Sequence, residues 1–586
     1  MQKARTKADK RRGAAPPEQK RDLAPPAGRF RLSYLLPAFA AAVIAVFFAY
    51  DPALRGPFVL DDLYLPFTGQ EFANAPLRHW IAGVRPLLMA SFWMNFRISG
   101  TQPGSYHVLN VVLHLLTAGC CFLIVRKLLG LAGQSGFVRE ILAAFAGGMF
   151  LLHPLQTESV SYVASRSEVL SVLFFYGAFA LFLYRRSEAI AWPEAIGVIA
   201  LFGAAASTKE HTAVLPFLLL LTDYYWNPGF SFRGIRRNWR LYGIIAAGTI
   251  LALRMVWRLL RHADTAGFSV KDFTWYQYFY TQCRAVWLYI RMFFLPFGQN
   301  IDHDFPPSHT LLEHGAIVGL IALVALVAAA IYYRRKFPLA SYGILAFLLL
   351  LAPTSSFVPI ADPVAERRLY LPFVGLLLVV VEFLRRWKTG RGTLTATLAG
   401  VLLVTAFLTY GRNQVWTSDI ALWQDSVSKA PQKSRPQFQL AFAYYSQGRC
   451  KESLPHYEAA AVNGRQDYRL YIDWAVAYDC VGNSEQALAK LRHAESIMRT
   501  AQVYSLIGMV YLRQNKRAET LEALETAIRI DPNFDMTYTY RAALFGNEGN
   551  FNAAIADYQR ALSINPGNEA AQQGLAVVEQ RRAAGK

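Results

Sequence analysis

Residues 106–129 read YHVLNVVLHLLTAGCCFLIVRKLL. A helix that crosses a membrane needs about 20 predominantly apolar residues, and this run supplies them. Its basic pair, Arg126-Lys127, stands at one end. The polar residues His107, Asn110 and His114 stand towards the other, at helical spacing that places them on one face. Two histidines so placed suit either a metal site or capping and packing within a bundle. Comparable apolar runs occupy 33–50, 139–153, 167–185, 190–207, 210–226, 241–259, 311–333, 338–355, 368–386 and 394–411. They predict a mainly α chain with about eleven membrane spans. One further run, 279–297, is ambiguous, because it carries Arg284 and Arg291 among its aromatic residues.

The chain has 586 residues, of which 17% are charged, below the quarter typical of soluble domains. That deficit belongs to the part before residue 412; beyond it apolar residues become periodic and mixed with charge. A membrane domain followed by a soluble one is expected. The formal net charge is +20. Nucleic acid is not the expected partner, because the excess sits in the amino-terminal tail and in short loops between apolar runs, where cytoplasmic positive charge belongs. Residues 1–32, rich in Lys, Arg, Pro and Ala, read as a basic, disordered cytoplasmic tail. The first span has no small-residue cleavage site after it and reads as an uncleaved signal-anchor.

Loop charge orients the spans. The clusters Arg126-Lys127 with Arg139, Arg185-Arg186, Arg233 to Arg240, Arg334-Arg335-Lys336 and Arg385-Arg386 all fall inside if 279–297 is an interfacial or re-entrant helix. If it crosses, the last two clusters flip outside. Arg254, within the 241–259 run, fits neither arrangement well. The inside arrangement gathers the ionisable residues of the 51–105, 153–167, 260–310 and 356–368 loops, and the turn at Lys209-Glu210, on the outer face. Asp61-Asp62 lie there, just past the first span. A charge in a membrane core costs roughly 2.5–3.5 kcal/mol, so such a concentration marks a site.

From residue 434 the chain repeats with a period of about 34, that of the tetratricopeptide (TPR) helix-turn-helix unit. Small residues recur in phase: Ala441, Ser453, Ala460; Ala475, Ala487, Ala494; Gly508, Thr520, Ala527; Ala542, Ala554, Ala561. Large ones fill the gaps between them, and Pro532 and Pro566 close two units. Residues 434–586 are therefore predicted to form about four repeats, an α-solenoid whose concave face suits an extended peptide. Residues 412–433 read as a connecting partial unit. The five cysteines show no metal-ligand spacing; Cys120-Cys121 belong to packing, and Cys450 and Cys480 pair only if the fold brings them close.

The outer loops carry Arg85-Pro86-Leu87, then His153-Pro154-Leu155-Gln156-Thr157-Glu158 with Arg166 and Glu168, then Lys209-Glu210, then Ala365-Glu366-Arg367-Arg368-Leu369-Tyr370-Leu371-Pro372. Each opposed pair is compatible with a structural ion pair. Together they supply acids for proton transfer and cations for a phosphate.

The order Asp-Asp, R-P-L, Y-H-x-x-N-x-x-x-H, H-P-x-x-T-E-x-V-x-x-V-x-x-R-x-E, K-E and A-E-R-x-L-Y-L-P, followed by TPRs, resembles the transmembrane-and-TPR protein O-mannosyltransferases. These are similar to the wider GT-C glycosyltransferases, which use polyprenyl-phosphate sugars. The resemblance covers nearly the whole chain from residue 33. It implies a GT-C-like membrane domain over 33–411, a catalytic acidic pair at Asp61 and Asp62, and donor-phosphate contacts from Arg85, Arg166 and Arg367. Arg368 departs from it, since relatives often carry Tyr there; it adds a cation to the phosphate set. His107, His153, Glu158, Glu168, Lys209, Glu210 and Glu366 are expected in support, with no metal ligand assigned among them.

The expected function is transfer of mannose or another hexose from a polyprenyl-phosphate donor to a Ser or Thr hydroxyl of a polypeptide held by the TPRs. The expected setting is a bacterial inner membrane, with the amino terminus cytoplasmic and the TPRs periplasmic. Partners are then the lipid-linked sugar, the acceptor polypeptide and membrane lipid. A non-catalytic TPR scaffold and a transferase acting on a lipid or glycan acceptor are the two other readings.

Overall fold

The computed structural model describes residues 32–68, 72, 74–248, 267–268, 270, 273–464 and 466–585. A short amino-terminal unit ends at Ala41, and the body runs from Ala42 onward. Every regular element among the described residues is helical. Among the described residues five helices are long and apolar enough to cross a membrane: Leu36–Leu54, Pro103–Leu131, Val163–Leu183, Glu313–Tyr332 and Arg391–Thr417. A sixth crossing is available if Gly136–Leu152 and Pro154–Ser161, bent by 48° at His153, act as one.

About eleven spans are expected from the sequence; among the described residues five, or six with the bent pair, are long and apolar enough. Three of the runs form shorter apolar helices, Trp192–Ala206, Pro338–Leu351 and Phe373–Leu384. Charge and proline set their ends: Pro338–Leu351 follows Arg334-Arg335-Lys336 and stops at Ala352-Pro353, and Phe373–Leu384 begins after Pro372 and stops at Arg385-Arg386. The 210–226 run divides into a 3-10 turn and the helix Leu215–Trp226. Most of the 241–259 run, with Arg254, lies outside the described residues.

The ambiguous 279–297 run is the helix Trp275–Phe294, opened by a capping box between Thr274 and Gln277. Tyr278, Gln282, Ala285, Tyr289 and Met292 are buried along one face, as period-3.6 amphipathicity requires, while Trp275, Phe294 and Leu295 are exposed at its ends. It crosses Ala316–Tyr332 at Gly319, where an added Cβ would stand 2.4 Å from the Cys283 carbonyl oxygen. The absent side chain lets the Trp287 indole N–H reach the Gly319 carbonyl.

The basic clusters meet at one end of the bundle. Arg385 donates to the Ala132 carbonyl, Arg386 to that of Lys336, and Arg185 pairs with Asp223. Arg240 lies over Trp192 and Arg334 over Phe230. The Asp61-Asp62 turn lies beyond the other end of the long helices.

Residues 434–583 form four helical hairpins and a closing helix. The hairpins are Ser434–Ser446 with Cys450–Asn463, Tyr468–Cys480 with Ser484–Ile497, Ala501–Arg513 with Arg517–Ile530, and Asp535–Asn547 with Phe551–Ile564. Ala441, Ser453, Ala460, Ala487, Thr520, Ala542 and Ala554 are fully buried where helices approach. Cys450 and Cys480 are brought together in a disulfide, with Cα atoms 6.2 Å apart. The first hairpin docks on the loops of the bundle. Trp423, Leu440 and Tyr444 pack with Leu60 and Ile301, while Trp416 packs with Val59 and Tyr162. Lys433 and Arg435 both reach the buried carboxylate of Asp302.

Candidate active site

A cavity of about 750 Å³ opens between these loops and the first hairpins. Its walls include Asp61, Tyr162, Asp302, Asp362, Arg367, Asp419, Trp423, Arg435, Phe438, Phe442 and Asp473.

The two adjacent acids have different surroundings. Residues Leu60–Tyr64 form a 3-10 turn, entered through Leu60 with φ 54°, a conformation that side chains rarely adopt. Within this turn the Asp62 side chain points inward and is fully buried. One of its carboxylate oxygens accepts the Val59 N–H at 3.1 Å and the other the Ala164 N–H at 2.6 Å. Burial lifts its pKa to about 7, the backbone N–H bonds oppose the rise, and the Asp61 charge adds to it. Asp61 points outward into the cavity and is exposed. Its backbone N–H donates to the Tyr162 hydroxyl at 3.0 Å. Burial and the two nearby aspartates raise the pKa of that phenol.

Arg367 forms the facing wall. Glu158, buried on the short helix Thr157–Ser161, accepts from its guanidinium at 2.5 Å and from its backbone N–H at 2.9 Å. Burial would lower the Arg367 pKa, but Glu158 outweighs it and holds the cation firmly charged. The segment carrying Arg367 is fixed by the helix Trp275–Phe294. Gln282 donates to the Pro363 carbonyl, and the Tyr289 hydroxyl accepts the Ala365 N–H. Glu366 turns away, accepting from Gln299 and the Asn300 N–H and lying 3.1 Å from His303.

A second polar cluster adjoins it. Arg85 grips Glu210 through two bonds of 2.9 Å, and Lys209 donates to Glu168 at 2.5 Å. Burial lowers the Lys209 pKa, the Glu168 charge opposes this, and both Arg85 and Arg367 are close enough to contribute to the lowering. His211, also beside Glu168, has no signal in the sequence; burial lowers its pKa, opposed by the Glu168 charge.

Two expected phosphate contacts have other partners. Arg166 is fully buried, donating to Asn110 at 2.8 Å, Asn95 at 2.9 Å and the Tyr106 carbonyl at 3.1 Å, with its plane 4.4 Å from the Phe92 ring centroid. It ties three helices together and does not line the cavity. Arg368 donates to the Tyr278 hydroxyl and to the carbonyls of Pro363 and Asp362, so its cation is taken up in holding the loop. The histidines are likewise internal struts. His107 lies 3.3 Å from the Gly56 carbonyl, His114 bridges Tyr370 and Leu151, and His153 bridges the Phe293 carbonyl and the Leu155 N–H. Among the described residues no three His, Cys, Asp or Glu side chains converge to hold a metal ion.

An apolar helical bundle with a carboxylate-and-arginine cavity between its loops and TPR hairpins defines a membrane protein with tetratricopeptide repeats. The tetratricopeptide repeat model matches residues 501–534 and 536–568. The chain is 23% identical over 507 residues to protein O-mannosyl-transferase TMTC1 of Homo sapiens, covering 73% of this chain and 55% of that one. It is 22% identical over 549 residues to protein O-mannosyl-transferase TMTC3 of Mus musculus, covering 84% and 58%. A protein O-mannosyl-transferase of Caenorhabditis elegans is 23% identical over 64% of this chain and 52% of its own. The family resemblance carried by the sequence motifs is thus matched by curated relatives, and the chain spans little more than half their length. Among solved structures, a thermophilic TPR protein of Thermus thermophilus is 21% identical over 31% of this chain and 96% of its own, with a TM-score of 0.26. That score is too low to carry an argument.

Proposed function

We propose that this chain is an integral membrane glycosyltransferase that moves mannose or another hexose from a polyprenyl-phosphate donor to a protein Ser or Thr hydroxyl. The observation that carries this reading is the placement of Asp61. Of the adjacent pair it is the carboxylate open to a cavity walled on one side by Arg367 and on the other by the first TPR hairpins. In the reaction the acceptor oxygen attacks the anomeric carbon and its proton passes to Asp61. The bond from that carbon to the phosphate oxygen breaks, and the polyprenyl phosphate leaves with the electron pair. Arg367 stabilises the growing phosphate charge, with Lys209 and Arg85 behind it. Asp62, Arg166 and Arg368 act as positioning residues.

The domain reading is a tail over 1–32, a GT-C-like membrane domain over 33–411, a connector over 412–433 and TPRs over 434–586. The basic end of the bundle faces the cytoplasm, and the cavity and TPRs face the periplasm of a bacterial inner membrane. The Cys450–Cys480 disulfide supports that orientation, because such bonds persist in oxidising compartments. The exposed apolar end of Trp275–Phe294 offers the polyprenyl chain a route from the bilayer. The test is transfer by purified protein from a polyprenyl-phosphate hexose to a Ser-bearing peptide. Undiminished transfer by Asp61→Asn would sink the assignment of the base.

A further inference from the structure

The cavity that opens on Asp61 holds more acid than its own cations balance. Asp302 is taken up by Lys433 and Arg435, Arg435 also pairs with Asp362 at 2.9 Å, Arg367 is held by Glu158, and Arg469, the remaining cation among the described lining residues, lies near the acid Asp467. Two further carboxylates line the same space from separate elements. Asp419 opens the connecting helix Asp419–Lys429, and Asp473 lies within the second hairpin's first helix, Tyr468–Cys480. Neither is given a cation by any described residue. Burial raises both pKa values to about 6, and among the described residues the charge that contributes at Asp473 is another acid, Asp467. A carboxylate withdrawn from water without a partner costs free energy that an incoming cation returns. Beside them stand the rings of Phe438 and the exposed Phe442, on the first hairpin. Aromatic faces attract ammonium and guanidinium groups and pack against their aliphatic stems.

We propose that Asp419 and Asp473 make this end of the cavity a subsite for a lysine or arginine side chain of the acceptor, so that the favoured acceptor is a hydroxyl-bearing extended segment with a basic residue close to the Ser or Thr. This rests on the reading of the acceptor as a polypeptide. The aromatic walls hold the stem, the two carboxylates hold the charge, and Asp61 is left free for the hydroxyl.

The experiment uses the full chain in nanodiscs and dye-labelled Ser-bearing peptides that differ only in carrying Lys, Gln or Glu at the flanking positions. Binding is read by anisotropy without donor, and transfer is read separately with donor. The Lys peptide is expected to bind about tenfold more tightly than the Gln peptide, the Glu peptide more weakly than either, and added salt to narrow the spread. Asp473→Asn combined with Asp419→Asn is expected to bring the three affinities together. The variant's thermal melt checks that the fold is kept, and Asp473→Glu should retain part of the preference. Equal affinities in the wild-type chain, or a preference that the double variant leaves intact, overturns the proposal. Transfer to all three peptides with equal affinities overturns it and keeps the transferase reading. A carboxylate-dependent Lys preference without transfer keeps it and overturns the transferase reading.

Discussion

The Asp62 carboxylate accepts the Ala164 backbone N–H at 2.6 Å, tying the turn after the first long helix to the start of the helix that carries Arg166. Its neighbour Asp61 faces the cavity, its carboxylate beside the Tyr162 hydroxyl. Replacing each acid separates the two roles. Asp61→Asn is expected to leave thermal stability within about 0.5 kcal/mol of wild type, as surface changes do, while lowering transfer about 10²–10⁴-fold, the usual worth of a positioned base. Asp62→Asn is expected to cost about 1–3 kcal/mol, because an amide turns a donor towards a backbone N–H that needs an acceptor. Melting curves and transfer rates on the two purified variants check both.

The raised pKa of Asp62 sets a direction for the pH dependence of stability. Its folded value is about 7 against an ordinary 3.8, so the folded chain keeps a proton that the unfolded chain releases. Its contribution is therefore fully present below the ordinary value and is lost as pH rises through about 7. Asp419 and Asp473 act in the same sense, while the buried His153 and His211, whose pKa values burial lowers, act in the opposite one, so the informative quantity is the difference between wild type and Asp62→Asn, which should change across this pH window as the Asp62 proton is lost.

Arg166 and Arg367 should fail in different ways. Arg166→Met leaves Asn95, Asn110 and the Tyr106 carbonyl without their buried donor and is expected to cost about 3 kcal/mol or more. The fraction that stays folded should keep its KM for the lipid donor, since the guanidinium does not line the cavity. Arg367→Lys keeps a charge but loses the fork, and is expected to lower kcat and raise the donor KM. Steady-state kinetics corrected for the folded fraction distinguish them.

The Cys450–Cys480 disulfide joins the start of one TPR helix to the end of the next. Its removal by the double Ser variant is expected to destabilise the hairpins by about 2–4 kcal/mol. A reductant should lower the wild-type melt by a similar amount and leave the variant's unchanged. After reduction of intact cells, a membrane-impermeant thiol reagent should reach Cys480, which is exposed, whereas Cys450 and the free Cys121 and Cys283 are buried and Cys120 is half-buried within the long apolar helix Pro103–Leu131. Labelling only after lysis would place the TPRs on the cytoplasmic side.

Much of the architecture was legible because it is periodic. The TPR phase was visible in Ala441, Ala475, Gly508 and Ala542, which must be small wherever helices touch, and the structure pairs the helices accordingly. Span number was less legible. Apolar composition reports burial in lipid or protein alike, whereas helix length also depends on breaks such as those at Pro353 and Pro372. His211, Tyr162, Asp419, Asp473 and Arg435 were missed at the site. Each is a single polar residue in an ordinary helix or turn, and no spacing in the sequence links it to residues hundreds of positions away.

By itself the sequence determined that this chain is helical, that its first part is apolar enough for a membrane, that its last part is a repeat, and that its acids and cations collect in particular loops. These are local properties, set by residue type and period. Only the tertiary structure decided that Asp61 is open while Asp62 is a strut, that Arg367 lines the cavity while Arg166 and Arg368 do not, and that the TPRs complete the wall. Side chains adjacent in sequence can point to opposite surroundings, and a buried polar group must take whichever partner the packed fold brings within hydrogen-bond reach.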